Sequence, residues 1–573
     1  MIDHQRLSAR IWKYRLHYVI VLPALLLIVV FKVIPFLTGL FLPFVDFTPF
    51  RGLSGSPWAG TNNFRTLFAL PEFRQIVTNT LVLNVGYVFA ASAVALLLAL
   101  ALASVRWAPL RSVFATLFLM PYFIPSAVFA YVIAILLSPD RSPIFRLDVM
   151  PLGDEGWFRP LVIAAETLKT VGIPALVALT AIASRHEAEL GRSGDDGEPG
   201  GTVGSRPAGY LHLNVIPAVR AVVAFALVRL SMPLASDFDL MHSLVNPLVY
   251  RTGDTLATYG FRVGFINAQY SLAAAVWLLQ FAVQLVFALA AYFLIRGSFA
   301  AVLFGRFERP RIKPANAGAS WIGIAVAAAY GAVALLPLYV LFVVPLTARS
   351  ESGVSAWSFL SIPGAIQYGF LFFAAAVVHM LMTATLAYPL TVRRLPGRGL
   401  YKLFLIFAAL LGSGAIHEYF LFRSLGLVNT AFAVPLSGLV AIVPVFVLKS
   451  VFNAKYAHLK EQAEAEGRGE LHAFVALFLP KVWKTWVALG VLQYTALAGA
   501  YQTSLLYLAN PESFSPIMRF VSLTWGSPSA VALPGDPVVL AVGALVSLPG
   551  IALLLVFRPW LTSEALVGHI RRG

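Results

Sequence analysis

The chain has 573 residues, of which 59% are hydrophobic and 12% charged, with a mean hydropathy of +0.80 and a formal charge of +16. Soluble domains carry about 25% charged residues, and a surface facing water cannot absorb this much apolar area. A cytosolic enzyme, a secreted disulfide scaffold and a disordered chain are therefore excluded, leaving an all-α polytopic membrane protein.

The basic start (Arg6, Arg10, Lys13, Arg15) precedes an apolar run from about Tyr18. That run is long, is interrupted by Lys32 and has no small-residue cleavage site behind it, so it reads as an uncleaved first span. A helix needs roughly 20 apolar residues to cross about 30 Å of hydrocarbon. Runs of that length fall near 17–44, 78–105, 112–138, 159–184, 215–236 and 271–295. Six more fall near 319–347, 367–392, 400–423, 430–452, 482–508 and 536–557. Twelve spans are thus expected. Every even-numbered exit is basic (Arg106 and Arg111, for example, then Arg393, Arg394 and Arg398), whereas the loop at 139–158 carries Asp140, Asp148, Asp154 and Glu155. Both termini then lie in the cytoplasm of a multi-pass plasma-membrane protein, and the +16 marks cytoplasmic loops and not a nucleic-acid partner.

The pattern divides into a first half at 1–300, a linker at 301–318 and a second half at 319–573, each half with six expected spans. In each, the longest cytoplasmic excursion lies between the fourth and fifth spans, at 185–217 and 455–480. Gly204 and Pro217 are thirteen residues apart, as are Gly467 and Pro480. A shorter echo joins Pro109 to Pro396, each flanked by arginines.

The 455–480 segment, with Glu461, Gln462, Ala463, Gly467 and Pro480, resembles the EAA loop of binding-protein-dependent ABC importer permeases. YVIVLPALLLIVVFKVIPF, LMPYFIPS and YGFRVGFINAQYSLAAAV resemble the first permease of the polysaccharide-type carbohydrate-uptake class; LPGRGLYKLFLIF and SLGLVNTAFAVPLSG resemble its second. The resemblance covers nearly the whole chain and implies a fusion of two permeases. It implies a membrane subunit that moves a carbohydrate, an oligosaccharide by expectation, by alternating access. Two copies of an ATPase subunit would drive it, and an extracytoplasmic solute-binding protein would deliver the solute. It also implies that Glu187, Ala188, Gly204 and Pro217 in the first arm, and Glu461, Ala463, Gly467 and Pro480 in the second, form short helices that dock on those ATPases. Glycine permits close backbone approach, and proline suits the opening turn of the next helix. The first arm departs from the pattern, because SGDDGEPGGTVG inserts about ten residues of helix-disfavouring composition. In the second half, Gly499-Ala500-Tyr501 replaces a Trp-Asn-type motif.

Ionisable groups within spans are costly and usually face a cavity or a partner. Glu166 and Lys169, three apart, can pair on one helix face. Arg229, Gln280, Gln284 and His379 lie in other spans, and Gln493, Tyr494 and Tyr501 in the eleventh. Together they are candidates for a polar translocation cavity able to hydrogen-bond hydroxyl-rich solutes; interhelical hydrogen bonding is the alternative. No G-x-x-x-x-G-K-[ST] loop is present, so the chain itself is not expected to hydrolyse ATP; the resemblance implies a permease subunit and not an enzyme, with ATP and Mg used only by a partner. No catalytic triad or metal-spaced His cluster is found and no cofactor is expected in the chain itself. An ion-coupled secondary transporter, or a non-transporting membrane partner or sensor, would also fit twelve spans in two halves.

Overall fold

In a bilayer a backbone must satisfy its own hydrogen bonds, and a sequence this apolar does so as helix. The computed structural model describes residues 11–12, 14–105, 107–195, 210–230, 238–294, 320–347, 355–392, 395–412, 414–465, 470–524 and 536–561. Among them the only extended pairing is an isolated bridge between Val45 and Trp58. The rest is helix and connecting turns.

Among the described residues, eight helices are long and apolar enough to cross a membrane: Arg15–Phe44, Phe73–Ser104, Leu211–Leu230, Tyr270–Ala291, Trp321–Phe342, Ile362–Leu390, Ala473–Ala498 and Asp536–Trp560. Three bent pairs raise the number to eleven if each is one span: Ala108–Phe123 with Ser126–Leu136 (99°), Glu155–Thr170 with Gly172–Ala183 (54°), and Arg398–Leu410 with Ala415–Ser424 (101°). The count differs from twelve at the expected span 430–452. There the chain breaks between helix Ala433–Ser437 and helix Val443–Ala465, and the apolar part of the latter, Val443–Asn453, is shorter than a bilayer span. Pro435 and Pro444 flank the break, and neither can donate a helical N–H.

Capping follows the sequence. The Asp154 carboxylate accepts from the N–H groups of Gly156 (2.8 Å) and Trp157 (3.0 Å) at the start of Glu155–Thr170. Ser361 does the same for Ile362–Leu390 through Gly364 N–H at 3.3 Å.

Pro35, Pro217 and Pro480 each lie two residues beyond a π-helical stretch, at Val29–Val33, Leu211–Val215 and Ala473–Phe478, within a helix that continues. For Pro217 and Pro480 this corrects the expected helix start. The wider turn supplies room for a pyrrolidine ring that would otherwise clash with the carbonyl four residues back, so the helix continues through it.

The two halves exchange their first spans. Arg15–Ile28 packs on Ile362–Leu390 of the second half, and Ser320–Phe342 packs on Phe73–Ser104 of the first. The buried clusters follow the same exchange: Val21, Ala24 and Ile28 share a core with Tyr368, Phe372 and Val445, while Ala327 and Val340 share one with Leu98, Phe118 and Phe129.

The break at Met120–Phe123, before Ser126, brings backbone against backbone. A Cβ on Gly172 would be driven into the carbonyl of Phe118, and one on Gly550 would lie 2.7 Å from the carbonyl oxygen of Phe123. Gly172→Val is expected to destabilise the purified protein by about 1–3 kcal/mol, the usual cost of overpacking. A thermal melt in detergent checks this, with Gly172→Ala falling between the two.

Candidate translocation site

The break between Ala108–Phe123 and Ser126–Leu136 forms one wall of a cavity of about 550 Å³. Tyr122, Ile124, Pro125 and Ser126 come from the break itself. Glu166, Lys169 and Thr170 project from Glu155–Thr170, Arg229 from Ile216–Leu230, Tyr87 from Phe73–Ser104, and Asp239 from Phe238–Leu244. The second half closes the cavity with Thr495, Ala496, Gly499 and Ala500, where helix Leu479–Ala498 ends. The site thus belongs to both halves of the chain.

Its polar groups are linked. Arg229 Nη2 lies 3.5 Å from Glu166 Oε1, and the Glu166 side chain is only 2% exposed. The Arg229 guanidinium also lies over the Tyr87 ring, 5.5 Å from its centroid. The Tyr87 hydroxyl is 2.8 Å from Thr170 Oγ1, which donates to the Glu166 carbonyl at 2.7 Å. Lys169 Nζ lies 5.7 Å from the centroid of the Tyr122 ring. A buried carboxylate needs a cation in place, and here Arg229 arrives from a different helix than the one bearing Glu166 and Lys169. Hydroxyls, cations and ring edges lining one space suit a polyhydroxylated solute.

Asp239 forms the cavity's link to the second half. Its carboxylate accepts from the backbone N–H of Tyr501 (3.2 Å) and of Gln502 (2.8 Å), capping helix Tyr501–Tyr507. The Tyr501 hydroxyl lies 3.2 Å from His242 Nδ1. Tyr501 is fully buried and does not line the cavity.

Of the nine expected cavity residues, Glu166, Lys169 and Arg229 meet here. Gln280 and Gln284 line a separate chamber of about 330 Å³ with Trp277, His417 and Gln502. His379 is a packing residue, its Nδ1 2.9 Å from the Leu439 carbonyl and its Nε2 3.3 Å from Thr383 Oγ1. Gln493 donates to the Gly438 carbonyl at 2.5 Å. Tyr494 borders an apolar crevice with Phe373, Met380 and Phe557. Tyr87, Thr170 and Asp239 went unnoticed in the sequence. Tyr87 and Thr170 were legible as polar residues within apolar runs, but Asp239 falls just beyond the expected end of span five.

Glu187 and Ala188 lie on helix Gly172–Asp195, which runs past the apolar part of the bent pair and into the sequence read as a helix-disfavouring insert. Glu461 and Ala463 likewise lie on the continuation of Val443–Ala465. Neither pair occupies the separate short helix that was expected. In each half the Glu-Ala pair extends a long helix, because that stretch of each arm is free of Pro and rich in helix formers. Gly204 and Gly467 lie outside the described residues.

No family model matches the chain. Protein LplB of Bacillus subtilis (strain 168) is 26% identical over 278 residues, covering 47% of this chain and 85% of LplB. The polygalacturonan/rhamnogalacturonan transport system permease protein YteP of the same organism is 28% identical over 293 residues, covering 49% of this chain and 88% of its own. Among solved structures, a bacterial alginate ABC transporter in complex with an alginate pentasaccharide-bound periplasmic protein matches 51% of this chain and 97% of its own, at 26% identity and a TM-score of 0.44. The chain is thus similar to transport-system permease proteins. Because about half of it suffices to match most of one such permease, it has the length of two joined end to end.

Arg229→Leu leaves the Glu166 carboxylate buried without that partner. The expected loss is about 3–5 kcal/mol of stability, read as a lowered melting temperature and reduced monodisperse yield. The double substitution Glu166→Gln/Arg229→Leu is expected to recover most of it.

Proposed function

We propose that the chain is the complete membrane path of a binding-protein-dependent importer for a carbohydrate, an oligosaccharide by preference, with two six-span permease halves fused in one polypeptide. The observation that carries this reading is the central cavity, which takes its charged and aromatic walls from the first half and its closing wall from the second. The reciprocal packing of the first spans, and the similar bends in the Ala108–Leu136 and Arg398–Ser424 pairs, support two related halves.

In this reading the cavity opens alternately to the two sides of the plasma membrane, and both termini are cytoplasmic. Two ATPase subunits, using ATP and Mg, grip the arms at Glu187, Ala188, Gly204 and Pro217 and at Glu461, Ala463, Gly467 and Pro480. The long helices that carry the Glu-Ala pairs act as levers, since a helix transmits a push at its end to the spans it packs against. A solute-binding protein outside the cell hands solute to the outer loops. The relatives named for polygalacturonan, rhamnogalacturonan and alginate point to uronic-acid oligosaccharides as the first solutes to try, and Lys169 and Arg229 supply cations for such a solute.

The test is reconstitution in proteoliposomes with a cognate ATPase and binding protein, using oligogalacturonates and alginate oligomers beside neutral maltooligosaccharides. Uptake is expected to require ATP. Gly467→Trp is expected to lower solute-stimulated ATP turnover by about tenfold, a typical coupling energy between sites. Uptake that survives ATP depletion and collapses with an ion gradient would overturn the reading in favour of a secondary transporter.

A further inference from the structure

Beside the central cavity lies a chamber of about 330 Å³ between Leu256–Phe261, Tyr270–Leu294 and the start of Ala415–Ser424, with Gln502 at its edge. Its walls combine aromatic rings, among them Trp277, Phe261 and Phe265, with the amide-bearing Gln280 and Gln502. His417 completes it. The residue is 2% exposed and its ring centroid is 4.7 Å from that of Trp277, so the imidazole is packed into the wall as part of its aromatic surface.

Backbone packing holds His417 in this position. A Cβ on Gly39 would lie 3.0 Å from both the His417 and Trp277 rings, and a Cβ on Gly414 would lie 2.6 Å from Trp277. Two glycines from different helices therefore let the imidazole and indole stand together at the chamber wall. The partition from the central cavity is thin. Phe238 faces this chamber and Asp239 the other, and Gln502 and Ala500 are divided in the same way.

We propose that this chamber is a second carbohydrate-binding site, taking one sugar ring between its aromatic walls with hydroxyls on Gln280 and Gln502. The ring's C–H faces match the aromatic surface, and its hydroxyls donate to or accept from the planar amides. The site rests on the carbohydrate reading given above and adds to it a place for solute outside the central cavity.

The natural absence of Cys makes a direct test available. Gln280→Cys and, in a separate protein, Gln502→Cys place a thiol in the chamber; Ala496→Cys places one in the central cavity. Each full-length chain is purified in nanodiscs with its ATPase, and its modification by a small methanethiosulfonate reagent is timed with and without oligogalacturonates or alginate oligomers. At a solute concentration about ten times Kd, modification at Gln280→Cys or Gln502→Cys is expected to slow about tenfold, since only the unoccupied fraction reacts. Protection at Ala496→Cys with none at either chamber position would overturn the second site and leave the importer reading standing. Protection at none of the three would overturn both. Should one chamber variant not fold, the other decides.

Discussion

Irregular backbone at bilayer depth is tolerated only where protein or a water-filled cavity surrounds it. The helix broken at Met120–Ser126 places such backbone in the middle of this molecule, and much of the structure accommodates it. The carbonyls of Phe118 and Phe123 are packed against Gly172 and Gly550, positions where a side chain would intrude. The open side of the break becomes a wall of the central cavity. A second bend joins Arg398–Leu410 to Ala415–Ser424, and Gly412, Gly414 and Ala415 border the second chamber. Breaking a helix in the membrane thus creates polar space, and glycines confine that space to the interior.

The two halves are joined by apolar and by directional contacts. Exchanged first spans give broad apolar contact. The Asp239 carboxylate caps a second-half helix inside the protein. Asp536 holds both Arg141 Nε at 2.7 Å and the Tyr131 hydroxyl at 2.8 Å. The Tyr18 hydroxyl donates to the Pro396 carbonyl at 2.9 Å, and Arg558 Nη2 to Ser112 Oγ at 3.1 Å. The apolar contacts are non-directional, whereas these polar contacts fix a geometry.

Membrane class, all-helical character and the positions of most spans were legible because apolar run length alone decides whether a segment can lie in hydrocarbon. The region 430–452 was not, since run length does not reveal that the chain breaks at 438–442 and leaves too short a helix after it. The prolines at 217 and 480 were recognised as special in sequence. Their solution, a π turn ending two residues earlier, depends on a continuing helix that composition does not report. The Glu-Ala pairs were found, but the long helices that carry them were read as ending sooner, because the apolar signal stops before the helical hydrogen bonding does.

The sequence by itself determined that this chain lives in a bilayer and that a few polar groups must hide inside; desolvation imposes both wherever the helices go. Only the tertiary structure decided which polar groups meet. Glu166, Lys169 and Arg229 converge on one cavity, Gln280 and Gln284 on another, and His379 and Gln493 are absorbed into packing. The reason is directional. Hydropathy reports how deep a residue lies, but not which way its helix face turns, and that is fixed by packing between segments hundreds of residues apart.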